Sequence, residues 1–354
     1  MSALRHFAIG AAALSMSLST PVMAQEKTEF RVAWSIYVGW MPWGYLEESG
    51  IMDKWADKYG IDVEIVQIND YVESINQYTA GQYDGCSMTN MDALSIPAGG
   101  GVDTTALIVG DYSNGNDGIV LKEGTTVADM KGDTVNLVEF SVSHYLLARA
   151  LDGAGLTERD LKVVNTSDAD LVAAFQTPDV TSVVTWNPLL SEIAAMDGAT
   201  KVFDSSQAPG EIIDIMMVNT QVLADNPNFG KALVGAWYEM MATMTASDAA
   251  ATEAKTAMAT ASGTDLAGFE AQLATTKMFY DPAEAVAFTQ SKDLPKTMEF
   301  VAKFLFDKGI LGQGAAGPEF VGVSFPDGSI YGDANNVKLR FDSSFMAMAA
   351  EGKL

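Results

Sequence analysis

From Thr28 to about Val218 the chain alternates short β-branched runs with helical stretches, and this alternation restricts its fold more than any other feature. Strands alternating with helices build parallel sheets covered on both faces, because each crossover lays a helix on the sheet. Glu29–Tyr37 reads as a strand, and Pro42–Tyr59 as a helix with Pro near its start and Gly60 after its end. Ile61–Ile68 alternates as a strand, Tyr71–Gly81 reads as a helix, and Asp84–Thr89 is a short strand running into a helix at Met91–Ala98. Thr104–Tyr112 is a further strand, ending in the turn cluster Ser113-Asn114-Gly115-Asn116-Asp117-Gly118.

A second series follows. Thr134–Glu139 is a strand feeding the helix Ser143–Ala154, and Leu161–Val164 feeds the Ser167-capped helix Ala169–Phe175. Thr181–Trp186 feeds Asn187-Pro188-Leu189-Leu190, with Asn as N-cap and Pro at the first helical position. Lys201–Phe203 precedes a turn-rich stretch, Asp204–Gly210. Ile212–Val218 is an apolar strand, and after it the chain reads as almost entirely helical to about Leu311. One βα series set inside another, with short crossovers near 111–118 and 204–213, describes an α/β protein of two lobes joined by a hinge. Residues 25–113 and 212–354 form lobe one, and 114–211 form lobe two, each a mostly parallel sheet flanked by helices. The length of 354 residues suits about two domains. Ligands in open α/β sheets bind beyond the carboxyl ends of the strands, so those ends from both lobes should line one cleft.

Residues 1–24 read as a secretory signal peptide. Arg5 and His6 precede a largely apolar run, Phe7–Leu18, and Val22-Met23-Ala24 offers small or apolar residues for cleavage after Ala24. The run is too short to span the hydrocarbon core, roughly 30 Å thick. No cysteine follows it to carry a lipid. The expectation is a soluble protein exported to a periplasm, with His144 as its one imidazole. With 48% hydrophobic and 19% charged residues, a disordered chain is excluded. Lys plus Arg number 21 against 46 Asp plus Glu, a formal net charge of -25. Such a surface repels phosphate backbones and anionic headgroups, so no nucleic-acid or membrane-surface role is expected. Cys86 is the only cysteine, which excludes an intramolecular disulfide and a multi-cysteine zinc site. No metal, no cofactor and a monomer are expected.

The predicted strand ends carry the candidate ligand residues. After the first strand, the stretch 34–45 holds Trp34, Tyr37, Trp40, Trp43 and Tyr45. Aromatic rings there either fill the space between helix and sheet or face a ligand. Tyr37 and Trp40, on the loop, are favoured as ligand contacts, and Trp34 falls between the two roles. Asn90 and Asp92 either cap the following helix or touch the ligand. Glu139 ends a strand beside Ser141 and Ser143. His144 stands alone, with no partner set for nucleophilic catalysis. Trp186 and Asn187 repeat the pattern on a later strand. Asp214 interrupts the apolar run Ile212, Ile213, Ile215, Met216, where an unpaired charge is expensive to bury.

None of these segments contains Lys or Arg. Oxyanion ligands generally need cationic partners or helix N-terminal amides. Aromatic faces beside Asp92, Glu139 and Asp214 suit a small planar cation instead, carboxylates forking onto its N–H donors and a ring face adding a cation–π contact.

At these residues the chain resembles the periplasmic substrate-binding proteins of ABC importers, in the nitrate/taurine-type group. Thr185-Trp186-Asn187-Pro188 and Asp214–Asn219 match that family's second-lobe and crossover patterns. Val32–Trp43, Asn69–Tyr78 and Met88–Leu94 resemble, more narrowly, the branch associated with urea carboxylase and guanidine carboxylase. The resemblance implies a two-lobed periplasmic binding protein fold of type II, a small-molecule ligand, a permease partner in the inner membrane, and no catalytic residues. The narrower branch implies guanidine or urea, and the wider family's basic residue is missing. Two other classes stay open. An enzyme on the same scaffold, similar to a pyrimidine synthase, would want a histidine and cysteine cluster. Here Cys86, in a predicted strand, reads as a small buried hydrophobe. A chemoreceptor partner with no transport role is the other.

Overall fold

The computed structural model describes residues 27–311 and 314–354; the signal-peptide reading lies outside the described residues. Fourteen strands are described: β1 (Glu29–Trp34), β2 (Asp62–Gln67), β3 (Gly85–Thr89), β4 (Thr104–Ser113), β5 (Asp117–Leu121), β6 (Thr134–Leu137), β7 (Lys162–Asn165), β8 (Ser182–Trp186), β9 (Thr200–Asp204), β10 (Ile213–Asn219), β11 (Thr276–Met278), β12 (Gly322–Ser324), β13 (Ile330–Tyr331) and β14 (Val337–Phe341). Among the described residues they form two sheets. The first runs β13-β12-β14-β4-β10-β3-β1-β2, with β11 paired to β4; the second runs β7-β6-β8-β5-β9.

Both sheets are mixed; the first has antiparallel pairs at β11 with β4 and at β12 with β13, and the centres of both share one topological reason. Strands β1, β2 and β3 run parallel, as do β6, β7 and β8, each helix returning the chain to the same end of the sheet. The chain then leaves the first sheet after β4 and enters the second at β5. It returns after β9 to start β10. Each arriving strand begins where its neighbours end, so β5 is antiparallel to β8 and β9, and β10 to β3 and β4. The two crossings are tied together. Ser113 and Ser205 share a hydroxyl–hydroxyl hydrogen bond of 2.6 Å, and the Gly115 N–H donates to Ser205 Oγ at 2.8 Å.

Burial follows position in the sheet. The central strands β3, β5 and β8 are buried at every residue, whereas β2 near the edge alternates. Pro42–Tyr59 is two helices, Met41–Glu48 and Ile51–Tyr59, broken at Gly50, whose φ of 73° is a left-handed conformation that glycine adopts readily. The helical region after β10 is interrupted by β11, and β12–β14, which no alternation announces, extend the first sheet beyond β4.

Candidate functional site

The strand ends meet around a small cavity lined by Tyr37, Trp40, Tyr71, Thr89, Asp117, Val142, Trp186 and Asp214. None of these residues is more than 5% exposed. Loops from the two sheets close over it: the Val38 N–H donates to the Asn187 carbonyl at 3.1 Å, and Trp186 Nε1 to the Ile36 carbonyl at 2.9 Å.

Strand register places the acids. Asp214, near the start of β10, lies between Asp111 on β4 and Thr89 on β3, in register with both. Across the cavity Asp117, the first residue of β5, stands beside Trp186, the last of β8. The turn after β1, closed by the Trp40 N–H to the Tyr37 carbonyl, swings Tyr37 and Trp40 inward. That turn needs Gly39: a Cβ there would lie 2.5 Å from the Tyr37 ring and 2.7 Å from Asp111 Oδ2. The rings then touch in series. Tyr37 meets Trp40 edge-on at 5.0 Å, Trp40 meets Tyr71 at 5.7 Å, and Tyr71 meets Trp186 edge-on at 5.4 Å.

Asp111 Oδ1 accepts from the Tyr37 hydroxyl at 2.8 Å and the Thr276 hydroxyl at 2.6 Å. Its Oδ2, and Oδ2 of Asp214, are buried with no donor from another residue, and the two carboxyl groups lie near enough to share a hydrogen bond when one is protonated, which draws Asp111 down and pushes Asp214 up. Asp117 accepts from Ser113 Oγ at 2.6 Å. No lining residue is Lys, Arg or His. Burial, with the Asp111 and Asp117 charges adding to it, pushes the Asp214 carboxyl well above the usual carboxylate range. Burial raises Asp117 to about 7, helped by Asp111 and Asp92. Asp111 rises to about 6 through burial, although the Thr276 and Tyr37 bonds pull it down. Two desolvated carboxyl groups, Asp117 and Asp214, line this aromatic-walled cavity, and Asp111 pairs with Asp214 in the sheet; in their ionised forms these acids suit a cation that has several N–H donors.

Of the residues picked from the sequence, the structure brings Tyr37, Trp40, Trp186 and Asp214 to the cavity. The others are placed elsewhere. Trp34 lies under the helix Met41–Glu48; a Cβ on Gly44 would sit 2.6 Å from its ring. Oδ2 of Asp92 takes three donors: the Tyr71 hydroxyl at 2.6 Å, the Thr89 hydroxyl at 2.8 Å and the Val142 N–H at 3.2 Å. Asn90 clamps the returning crossover, accepting from the Ile213 N–H and donating to the Glu211 carbonyl. Ser141 caps the helix Val142–Ala154 by accepting from the Ser143 N–H. Asn187 accepts from the Ser191 N–H and hydroxyl. His144 Nδ1 accepts from the Phe140 N–H at 3.1 Å, and its Nε2 lies 3.1 Å from Glu158. Glu139 is half-buried and does not line the cavity; β6 ends at Leu137, and the chain reaches the lining only at Val142. The lining residues missed were Tyr71, Thr89, Asp117 and Val142, and so was Asp111, the sheet partner of Asp214. Asp111 carried the same signal as Asp214, a carboxylate inside an apolar strand, and Asp117 was hidden in a turn cluster whose composition explains it without a site. Cys86 is buried in β3 beside the Ser74 hydroxyl, and burial pushes its thiol up to about 12, so it is inert.

Two sheets joined by paired crossings, with a closed cavity between their strand ends, define a periplasmic binding protein fold. It is shared with the alkanesulfonate-binding protein of Xanthomonas axonopodis pv. citri bound to MOPS (TM-score 0.66, 17% identity, 81% of this chain and 96% of that one). It is shared too with the periplasmic nitrate-binding protein of Synechocystis PCC 6803 (TM-score 0.58, 14% identity, 91% and 98%). The profile of the NMT1-like family matches residues 26–261, and the chain belongs to that family. A Brucella abortus (strain 2308) protein named as a binding protein is 23% identical over 186 residues, 50% of this chain and 56% of that protein. The match thus spans little more than half the length of that curated relative. No helix among the described residues is long and apolar enough to cross a membrane.

Proposed function

We propose that this chain is the solute-binding component of an ABC importer and that its ligand is guanidinium. The observation that carries the ligand is the buried Asp214 carboxyl, whose Oδ2 meets no donor, in a cavity that Asp117 also lines and that has no Lys, Arg or His among its lining residues. A planar cation with N–H donors on every edge satisfies such oxygens and neutralises their repulsion, while Trp40, Tyr37, Tyr71 and Trp186 offer ring faces. The sulfonates and nitrate for which the neighbours are named are anions, and the cavity lining offers them acids and aromatic rings but no cationic side chain. The NMT1-like family and the fold support the solute-binding role, and the resemblance to the branch associated with guanidine carboxylase and urea carboxylase supports the ligand. No catalytic role is proposed, since His144 and Cys86 each have a structural environment of their own. The proposal includes export by residues 1–24, a soluble periplasmic monomer, lobes at 25–113 with 212–354 and at 114–211, and a permease that receives the ligand.

Calorimetric titration of the chain lacking residues 1–24 with guanidinium, urea and taurine, at matched moderate salt, tests this. Guanidinium binding alone supports the assignment. Tighter urea binding would mean that the raised aspartates stay protonated and donate to a neutral ligand. Taurine binding, or silence from all three, would overturn the ligand assignment.

A further inference from the structure

Two contacts between the sheet halves have the same form with the roles exchanged. The helix Tyr71–Thr79 belongs to the first-sheet half, and its first backbone N–H, that of Tyr71, donates to Asp168 Oδ1 of the second-sheet half at 3.1 Å. The helix Val142–Ala154 belongs to the second-sheet half, and its first N–H, that of Val142, donates to Asp92 Oδ2 of the first-sheet half at 3.2 Å. The first N–H groups of a helix have no partner within it, and their partial positive charge favours a carboxylate. Each half therefore supplies the anion that completes a helix in the other. Ser167 Oγ adds a donation to Asp70 Oδ2 at 2.8 Å, and Asp70 caps Tyr71–Thr79 from its own half.

One side chain wires the two contacts together. The Tyr71 hydroxyl donates to Asp92 Oδ2, the same oxygen that the Val142 N–H reaches. The Tyr71 ring lines the cavity, between Trp40 and Trp186. A ligand that settles this ring also fixes the Tyr71 backbone for Asp168 and its hydroxyl for Asp92. Neither aspartate lines the cavity, and both are buried, at 1% and 3% exposure.

We propose that Asp92 and Asp168 are a reciprocal latch: positioning residues that hold the two halves shut, with Tyr71 passing ligand occupancy to both. The role of the ligand rests on the proposed solute-binding function; the latch geometry does not. When the halves part, each carboxylate and each N–H regains water, so the net strength per contact is small and the latch is reversible. Two such contacts biased by one ring give ligand-dependent closure.

Asp168→Ala removes one acceptor without altering the cavity lining, and Asp168→Asn keeps an amide oxygen at the same place. With guanidinium as probe, Asp168→Ala should raise the dissociation rate on the order of tenfold, what one hydrogen bond to a charged group supplies. The association rate should stay near wild type, and Asp168→Asn should recover most of the loss. Amide hydrogen exchange at Tyr71 should quicken in Asp168→Ala. A wild-type dissociation rate, or a loss confined to association, would overturn the latch. If the wild-type chain does not bind guanidinium, the ligand assignment falls, and exchange at the Tyr71 amide in the ligand-free chain decides the latch. Faster exchange in Asp168→Ala than in wild type supports it, and equal exchange overturns it.

Discussion

Beside Tyr71, Oδ2 of the Asp92 carboxylate collects three donors, two hydroxyls and a backbone N–H; beside Tyr37, Oδ2 of Asp111 and Oδ2 of Asp214 are buried with no donor from another residue. Both groups are buried, and both have carboxyl groups pushed upward by that burial, Asp92 to about 6. What separates them is satisfaction. A buried carboxylate whose charge is held by three donors is architecture, because removing its donors is what would cost energy. An unmet one is a site, because its bonding is completed by something that arrives.

The sharpest way to break this comparison is to exchange each acid for its amide. Asp214→Asn should weaken guanidinium binding by about 2 kcal/mol, the value of a hydrogen-bonded charge. It should also raise the melting temperature of the ligand-free chain, since a repelled buried carboxylate is gone. Asp92→Asn should lower that melting temperature and cost less affinity. Calorimetry of both variants settles it, and the distinction fails if the two behave alike.

Next in size is the dependence on pH. The Asp111, Asp117 and Asp214 carboxyl groups have folded-state values above their ordinary range of about 4, so their protonated forms favour the folded, ligand-free chain. Their contribution to stability is fully present below about pH 4. It is lost as pH rises through about 6 for Asp111 and about 7 for Asp117. Guanidinium affinity should run the opposite way, rising over the same window as the acids become free to pair. A pH series of titrations showing flat affinity would remove the charge partnership.

A smaller effect belongs to the aromatic wall. Trp40→Ala should cost guanidinium on the order of 1 kcal/mol through the lost ring face, measured by the same titration, with urea losing less. The smallest belongs to an acid outside the cavity. Glu139→Gln should leave affinity and melting temperature within about 0.5 kcal/mol of wild type; a larger loss would show that Glu139 reaches the ligand.

How much of the site was legible varied with the kind of signal. Tyr37 and Trp40 stand in a loop just after a predicted strand, and Asp214 breaks an apolar strand, so each was visible as a local irregularity. Asp111 carries that same irregularity, within the run Leu107–Tyr112, but its neighbours matter only once β10 pairs with β4. Tyr71 opens a helix well after the first strand and reaches the cavity only because β2 returns beside β1. Asn90, Ser141 and Asn187 were visible as polar residues near strand ends. Which of two uses each serves, cap or ligand, depends on whether a backbone N–H lies within reach.

By itself, the sequence determined the α/β class, the nested order of the two βα series and the absence of cations at the strand ends. These are properties of local periodicity and composition, which a chain carries whatever its neighbours do. Only the tertiary structure decided which acids are satisfied and which are not. That depends on strand register: Asp214 falls between Asp111 and Thr89, and Asp92 falls within reach of a helix from the other sheet half. A hydrogen bond has a reach of about 3 Å and a required angle, so partners far apart in sequence become partners only through the fold that sets that distance.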